Sequence, residues 1–358
     1  MTDGRVDNIH RLCGLLARRQ PLVQIMEICG THTMAIARGG LRRMFPQTLR
    51  LVSGPGCPVC VTDQSYIDQA VYLALGQAGE KPIVATYGDM LRVPGRLGSL
   101  GEARGGGGAQ VEIVYSVETA VELARKNATR QVVFLGVGFE TTAPGTALAV
   151  KAARADGVKN FSVLAAHKTV LPAMRALLAA PDLRIDGFLC PGHVSVILGW
   201  LAYEPIAREY RRPCVVAGFD PDQILAGIEA ILTPLVDGQA HAACVYPSVS
   251  PGGNAVARRL LEEVFAPCDA PWRALGVIPG SGLAFREEWS EFDAATRFAL
   301  PVMESYELPG CRCGDVISGR ALPRQCGLFA HACTPRSPVG PCMVSTEGAC
   351  AAAFQYER

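Results

Sequence analysis

From about Pro21 to Gly282, short apolar runs rich in Val, Ile and Leu alternate with stretches whose apolar residues recur at helical spacing. Strands covered on both faces by helices read as continuous apolar runs, because neither face meets water. The pattern predicts parallel strands over Leu22–Ile28, Leu49–Val52, Ile83–Tyr87, Val111–Tyr115 and Val132–Val137. Further strands are expected over Phe161–Ala165, Gly187–Cys190, Cys214–Ala217 and Ala243–Tyr246. Between them, Ser65–Gly79, Val117–Lys126, Ala147–Ala155, Leu171–Ala180, Pro221–Leu235 and Asn254–Phe265 are expected to be helical. After Arg286 the periodicity fades into Gly, Pro and Cys. The expected fold is therefore α/β. Two lobes of parallel sheet flanked by helices, about 1–128 and 129–285 and free to exchange segments, precede a small cysteine-rich module over 286–358.

With 358 residues and 49% hydrophobic content, the chain is long enough to bury a sizeable core. Its 34 Lys and Arg nearly cancel 33 Asp and Glu, so no basic field exists to neutralise a phosphate backbone or an anionic bilayer. Nucleic acid and membrane surfaces are not expected partners. The first twenty residues alternate charged and apolar side chains, and no run of about 18 apolar residues occurs, so a cytoplasmic protein without a secretory signal is expected. Gly105–Gly108 precedes a strand rather than the helix that a phosphate-binding turn requires, and is read as a surface loop.

Fourteen cysteines in a chain of this length fit metal binding or redox chemistry better than a secreted disulfide scaffold. In open parallel sheets, ligands bind at the carboxyl ends of strands. Four unusual motifs follow predicted strands: Cys29-Gly-Thr-His32, Cys57-Pro-Val-Cys60, Gly138-Phe-Glu140-Thr-Thr142 and Cys190-Pro-Gly-His193. One cleft is expected to collect them. Cys29 and His32 supply a thiol and an imidazole able to share a metal, or to activate the thiol; the alternative is an inert buried cysteine. Cys57 and Cys60 have the spacing of a redox pair, with half of a zinc site as the alternative. Glu140 is read as a carboxylate that orients an imidazole or relays a proton, and His193 as its counterpart at another strand end. His167 and Lys168 rank below them.

The tail carries Cys311, Cys313, Cys326, Cys333, Cys342 and Cys350. A cubane 4Fe–4S cluster needs four thiolates, one per iron. Cys311, Cys326, Cys333 and Cys350, separated by 14, 6 and 16 residues, are read as that set, with structural zinc as the alternative. Six thiols for four places leave Cys313 and Cys342 open.

The motifs MEICGTHT, SGPGCPVC, GFETTAP, CPGHVS and the tail CRCGDVISG…CGLFAHACTP…GPCMVSTEGACAA resemble the HypD family, in the family's order and over essentially the whole chain. The resemblance implies a scaffold for assembling the Fe(CN)2CO unit of NiFe hydrogenase. It also implies a HypC-type small chaperone and a HypE-type cyanide donor as partners. By the same resemblance, Cys29 holds the iron with a partner cysteine, and His32 belongs to the same motif. Cys57 and Cys60 become the dithiol/disulfide pair, and Cys311, Cys326, Cys333 and Cys350 the ligands of a 4Fe–4S cluster. Ala330 stands where the family often has glycine. A competing expectation is an iron–sulfur-dependent protein disulfide reductase that never binds cyano-iron. A zinc-stabilised binding module is a third.

Overall fold

The computed structural model describes residues 2–106 and 108–357, so Gly107 of the expected glycine loop lies outside the described residues. Gly105 and Gly106 end a helix, Leu100–Gly106, rather than open a loop. In chain order the strands are β1 (Val23–Glu27), β2 (Leu49–Ser53), β3 (Ile83–Thr86), β4 (Gln110–Ile113), β5 (Val132–Gly138), β6 (Phe161–His167), β7 (Gly187–Pro191), β8 (Cys214–Ala217) and β9 (Ala242–Cys244). A hairpin, β10 (Phe265–Trp272) and β11 (Gly276–Phe285), follows.

Two parallel sheets result. One has the order β2-β1-β7-β8-β9, the other β4-β3-β5-β6. The chain therefore begins one sheet, leaves to build the second, and returns to finish the first. The expected division at 128/129 falls inside the second sheet, where β5 pairs with β3. Apolar runs report that a strand is buried on both faces, but carry no record of its neighbours.

Each sheet has its own apolar cover. The helices Thr2–Leu16 and Pro221–Val236 pack together on the first, burying Ile9, Leu12, Leu225, Ile228 and Leu232 against Ile25 and Val215. On the second, the helices Val117–Lys126 and Ala143–Ala155 bury Val121, Ala147 and Val150 against Val132 and Phe134. Helix starts follow side-chain chemistry: Asp63 accepts from the Ser65 N–H at 2.9 Å, and Asn254 from the Val256 and Ala257 N–H groups at 3.0 Å.

The hairpin does not figure among the predicted strands. Its first strand carries Pro267 and Pro271, which remove ladder donors and hide the strand pattern. The cysteine-rich tail is not a separate body. Its short helices Cys313–Ile317 and Pro341–Val344 pack against the helix Pro58–Val61, and Ala349–Tyr356 packs against Gly30–Arg38. Cys313, Cys333, Cys342 and Cys350 thus share one core with Met26, Val52 and Leu135.

Candidate functional site

The loops after β1, β2, β5 and β7 converge on one cavity of about 240 Å³ between the two sheets. Cys29, Pro58, Phe139, Thr142, His193 and Glu347 are among its lining residues. The backbones meet closely there. Gly30 N–H donates to Gly56 O at 3.1 Å, and a Cβ on Gly56 would stand 2.2 Å from the Cys29 nitrogen. Only glycine fits where one loop crosses the other.

Cys29 precedes the helix Gly30–Arg38 and is 7% exposed. Burial pushes its thiol up to about 12; the His32 and Thr31 N–H groups oppose the rise, and Glu347 adds to it. At neutral pH the thiol keeps its proton, so ligation of a metal ion there must release one.

His32 does not line the cavity. Its ring is fully buried, Nε2 lies 2.9 Å from Gly218 O, and Phe219 sits 4.9 Å away. Burial holds the imidazole at about 4, so it is neutral, with Nε2–H donating to the carbonyl and Nδ1 left without a partner. His193 packs on Phe219 as well, at 4.2 Å, and does line the cavity. Phe219 thus ties the two imidazoles together, and nothing in its sequence surroundings marks it out.

Glu27 closes β1 beneath this loop. It is 1% exposed, accepts the Thr33 hydroxyl at 2.9 and 2.8 Å, and has Arg42 at 3.5 Å. Burial pushes its carboxyl up to about 7 against the opposing pull of Arg42 and those hydrogen bonds.

Glu140 stands behind the cavity wall. One oxygen accepts the Val170 N–H at 2.8 Å, the other is buried without a partner, and burial raises the carboxyl to about 7. It touches neither histidine of the cavity motifs by hydrogen bond. His167 bonds Thr146 at 3.2 Å, and Lys168 donates to Pro271 O at 2.7 Å, anchoring the hairpin.

Cys57 and Cys60 form a disulfide, with Cα atoms 5.2 Å apart, and the Cys57 sulfur accepts the Cys60 N–H at 3.3 Å. Cys60 Sγ lies 4.0 Å from Pro341 O, so the pair abuts the tail.

In the tail, Cys313 and Cys342 are joined as a disulfide. Cys311, Cys326, Cys333 and Cys350 remain free thiols. All four line one small cavity walled by Leu328, Phe329 and Met343. Burial pushes the Cys350 thiol up, and Cys311, Cys333 and Cys326 add to the rise, as four acidic groups sharing one space must. The backbone is cleared for them: a Cβ on Gly340 would meet Cys311 Sγ at 2.5 Å. Val339 N–H donates to Cys333 Sγ at 3.3 Å. These features fit a cluster held by four thiolates. Among the described residues, no group of three or more His, Cys, Asp or Glu is gathered so as to hold a metal ion.

Glu347 is the cavity residue that sequence reading missed. It lies between Cys342 and Cys350 and reaches back across the fold to Thr31. Its only signal is membership of the STEGACAA run.

Two parallel sheets that share a strand-end cavity, with three cysteine centres arranged around their junction, define a cysteine-centred α/β protein. The family model HypD, described as the hydrogenase formation hypA family, matches residues 5–357. The hydrogenase maturation factor HypD of Escherichia coli (strain K12) is 43% identical over 94% of this chain and 90% of its own length. That of Azotobacter vinelandii is 44% identical over 94% and 89%, and that of Rhodobacter capsulatus 41% over 99% and 95%. The chain belongs to the HypD family. Among the described residues, no helix is long and apolar enough to cross a membrane.

Proposed function

We propose that this chain is a cytoplasmic scaffold in hydrogenase maturation, on which the Fe(CN)2CO unit is assembled as cargo with a HypC-type chaperone and a HypE-type cyanide donor. The observation that carries this reading is the convergence of four strand-end loops on the Cys29 thiol, with Cys57 and Cys60 on the neighbouring loop.

Cys29 is the anchor. A soft thiolate suits low-spin Fe(II) bearing strong-field ligands, and a second thiol from the chaperone completes the hold. The Cys29 proton must leave as the iron arrives, and His193 and Glu347 face the same cavity to accept it. Ile28, Phe139 and Val194 supply apolar wall that limits water around the cargo. His32 acts from behind: its bond to Gly218 and its packing on Phe219 fix the helix that begins at Gly30, directly after Cys29. Glu140, with one unpartnered buried oxygen, serves as a proton reserve under the Gly138–Thr142 loop.

Cys311, Cys326, Cys333 and Cys350 would hold a 4Fe–4S cluster, which supplies one-electron steps when bound. Opening either disulfide takes two electrons and two protons. A second reading, a cluster-dependent protein disulfide reductase, is favoured by the presence of two disulfides beside the four free thiols.

Infrared spectroscopy on protein co-expressed anaerobically with both partners separates the two. The scaffold reading expects bands of metal-bound cyanide and carbonyl that vanish in Cys29→Ala while iron and sulfide in the tail persist. Bands that survive Cys29→Ala overturn the anchor, and iron and sulfide without bands in the unaltered chain favour the reductase.

A further inference from the structure

The hairpin β10–β11 turns at Arg273–Leu275, and its tip is wedged between two cysteine regions. Arg273 is buried, 7% exposed, and directs three donors at one short stretch. Its backbone N–H donates to Val61 O at 3.0 Å, Nε to Cys60 O at 3.1 Å and Nη2 to Thr62 O at 2.7 Å. Beside it, Trp272 pairs with Thr62 in an antiparallel bridge. Consecutive carbonyls at the end of a one-turn helix have no further turn to bond, and one residue takes all three.

The same tip touches the tail. A Cβ on Gly314 would stand 2.1 Å from the Ala274 Cβ, so the residue after Cys313 yields its side-chain space to the hairpin. Arg273 also lines a cavity of about 120 Å³ with Tyr306, Cys311, Cys313 and Pro341. The groups that face its charge are Asp63, Cys311 and Tyr306. Burial lowers the guanidinium to about 10, and it remains a cation at neutral pH.

We propose that Arg273 is the positioning residue that sets the redox poise of the Cys57–Cys60 pair. It fixes Cys60, whose sulfur abuts Pro341 of the tail, and hydrogen-bonds its buried cation to the backbone carbonyl of that same cysteine. The inference rests on the reading of Cys57–Cys60 as a redox pair. In exchange with an external dithiol, two electrons and two protons pass to Cys57 and Cys60, their S–S bond breaks, and the donor closes to its own disulfide. A sulfur that then ionises gives its proton to solvent. A nearby cation stabilises that thiolate and so favours the reduced pair; its removal favours the disulfide.

The test equilibrates the full chain, anaerobically and from both oxidised and reduced sides, in dithiothreitol buffers of graded poise. The reduced fraction of the Cys57–Cys60 peptide is read by acid quench, alkylation and mass spectrometry. Arg273→Gln keeps a donor to the carbonyls but loses the charge, and is expected to lower the reduced-to-oxidised ratio about tenfold, about 30 mV for a two-electron couple. Arg273→Lys keeps the charge and is expected to stay within about threefold of the unaltered chain. Asp63→Asn removes an opposing charge and is expected to raise the ratio, which gives a second variant of opposite sign should Arg273→Gln fail to fold. An unchanged ratio in folded Arg273→Gln, or an unchanged or lowered one in Asp63→Asn, overturns the role of Arg273. An unaltered pair that does not titrate reversibly brings down the redox reading itself.

Discussion

The Thr31 hydroxyl donates to Glu347 Oε1 at 2.7 Å, joining residues 316 positions apart. The contact fastens the tail across the Cys29 loop, and Gly30 makes room for it: a Cβ there would stand 2.7 Å from the Glu347 Cβ. Gly30→Ala should overpack the contact and destabilise the fold by about 1–3 kcal/mol. Thr31→Val keeps the shape but loses the hydrogen bond, at about 1 kcal/mol. The two share Glu347, so the double variant should lose less than the sum. Urea midpoints of the three variants measure this, and strict additivity would falsify the shared contact.

How much of this was legible beforehand depends on what kind of information a residue carries. A run such as Val132–Val137 announces a doubly covered strand by itself, and β5 spans Val132–Gly138. The placing of cysteines and histidines at strand ends followed from the same reasoning. Partnership is different. That β7 lies beside β1, that Cys313 bonds Cys342, and that Glu347 meets Thr31 are facts about pairs distant in sequence, which no local pattern encodes. His32 shows a subtler gap. Its spacing from Cys29 predicts a shared metal or an activated thiol, yet the helix starting at Gly30 turns its ring toward Phe219 and away from the cavity.

Ala330 departs from the glycine expected by resemblance, and its φ of 60° lies in the left-handed region. There an L side chain crowds the following carbonyl, at a cost of roughly 1–2 kcal/mol. Its N–H bonds Cys333 O at 3.1 Å, so the turn is anchored and cannot relax freely. Ala330→Gly should stabilise the tail by about 1 kcal/mol, the gain offset in part by extra freedom in the unfolded chain. Thermal unfolding followed by near-ultraviolet dichroism decides it; a lowered midpoint sinks the strain argument.

The six tail cysteines divide into four free thiols and one disulfide, which predicts two classes of variant. Cys326→Ser or Cys333→Ser removes a thiolate from the shared cavity and should cost the protein most of its bound iron and acid-labile sulfide. Cys313→Ser or Cys342→Ser should leave that content nearly intact, because neither thiol is free to ligate. Iron and sulfide assays on anaerobically reconstituted chains test the division. Comparable loss in both classes would show that the disulfide cysteines also serve the cluster.

Glu140 predicts a pH dependence of defined sign. Burial raises its carboxyl from 4.5 to about 7, so between those values the native chain holds a proton that the unfolded chain has released. Stability contributed by this group is therefore full below about pH 4.5, falls as pH rises towards 7, and is level above it. Glu27, also raised to about 7, acts in the same direction, whereas His32 and His167, both lowered to about 4, oppose it between 6.5 and 4. The unaltered chain mixes these effects, so the comparison must be with Glu140→Gln, which imitates the protonated acid at every pH. At pH 5 the two should have similar urea midpoints. At pH 8 the glutamine variant should be more stable by up to about 3 kcal/mol, the free energy of a shift of that size. Parallel stability profiles from pH 5 to 8 would mean that Glu140 stays ionised in the native fold, and its place as a proton reserve beneath the cavity would be lost.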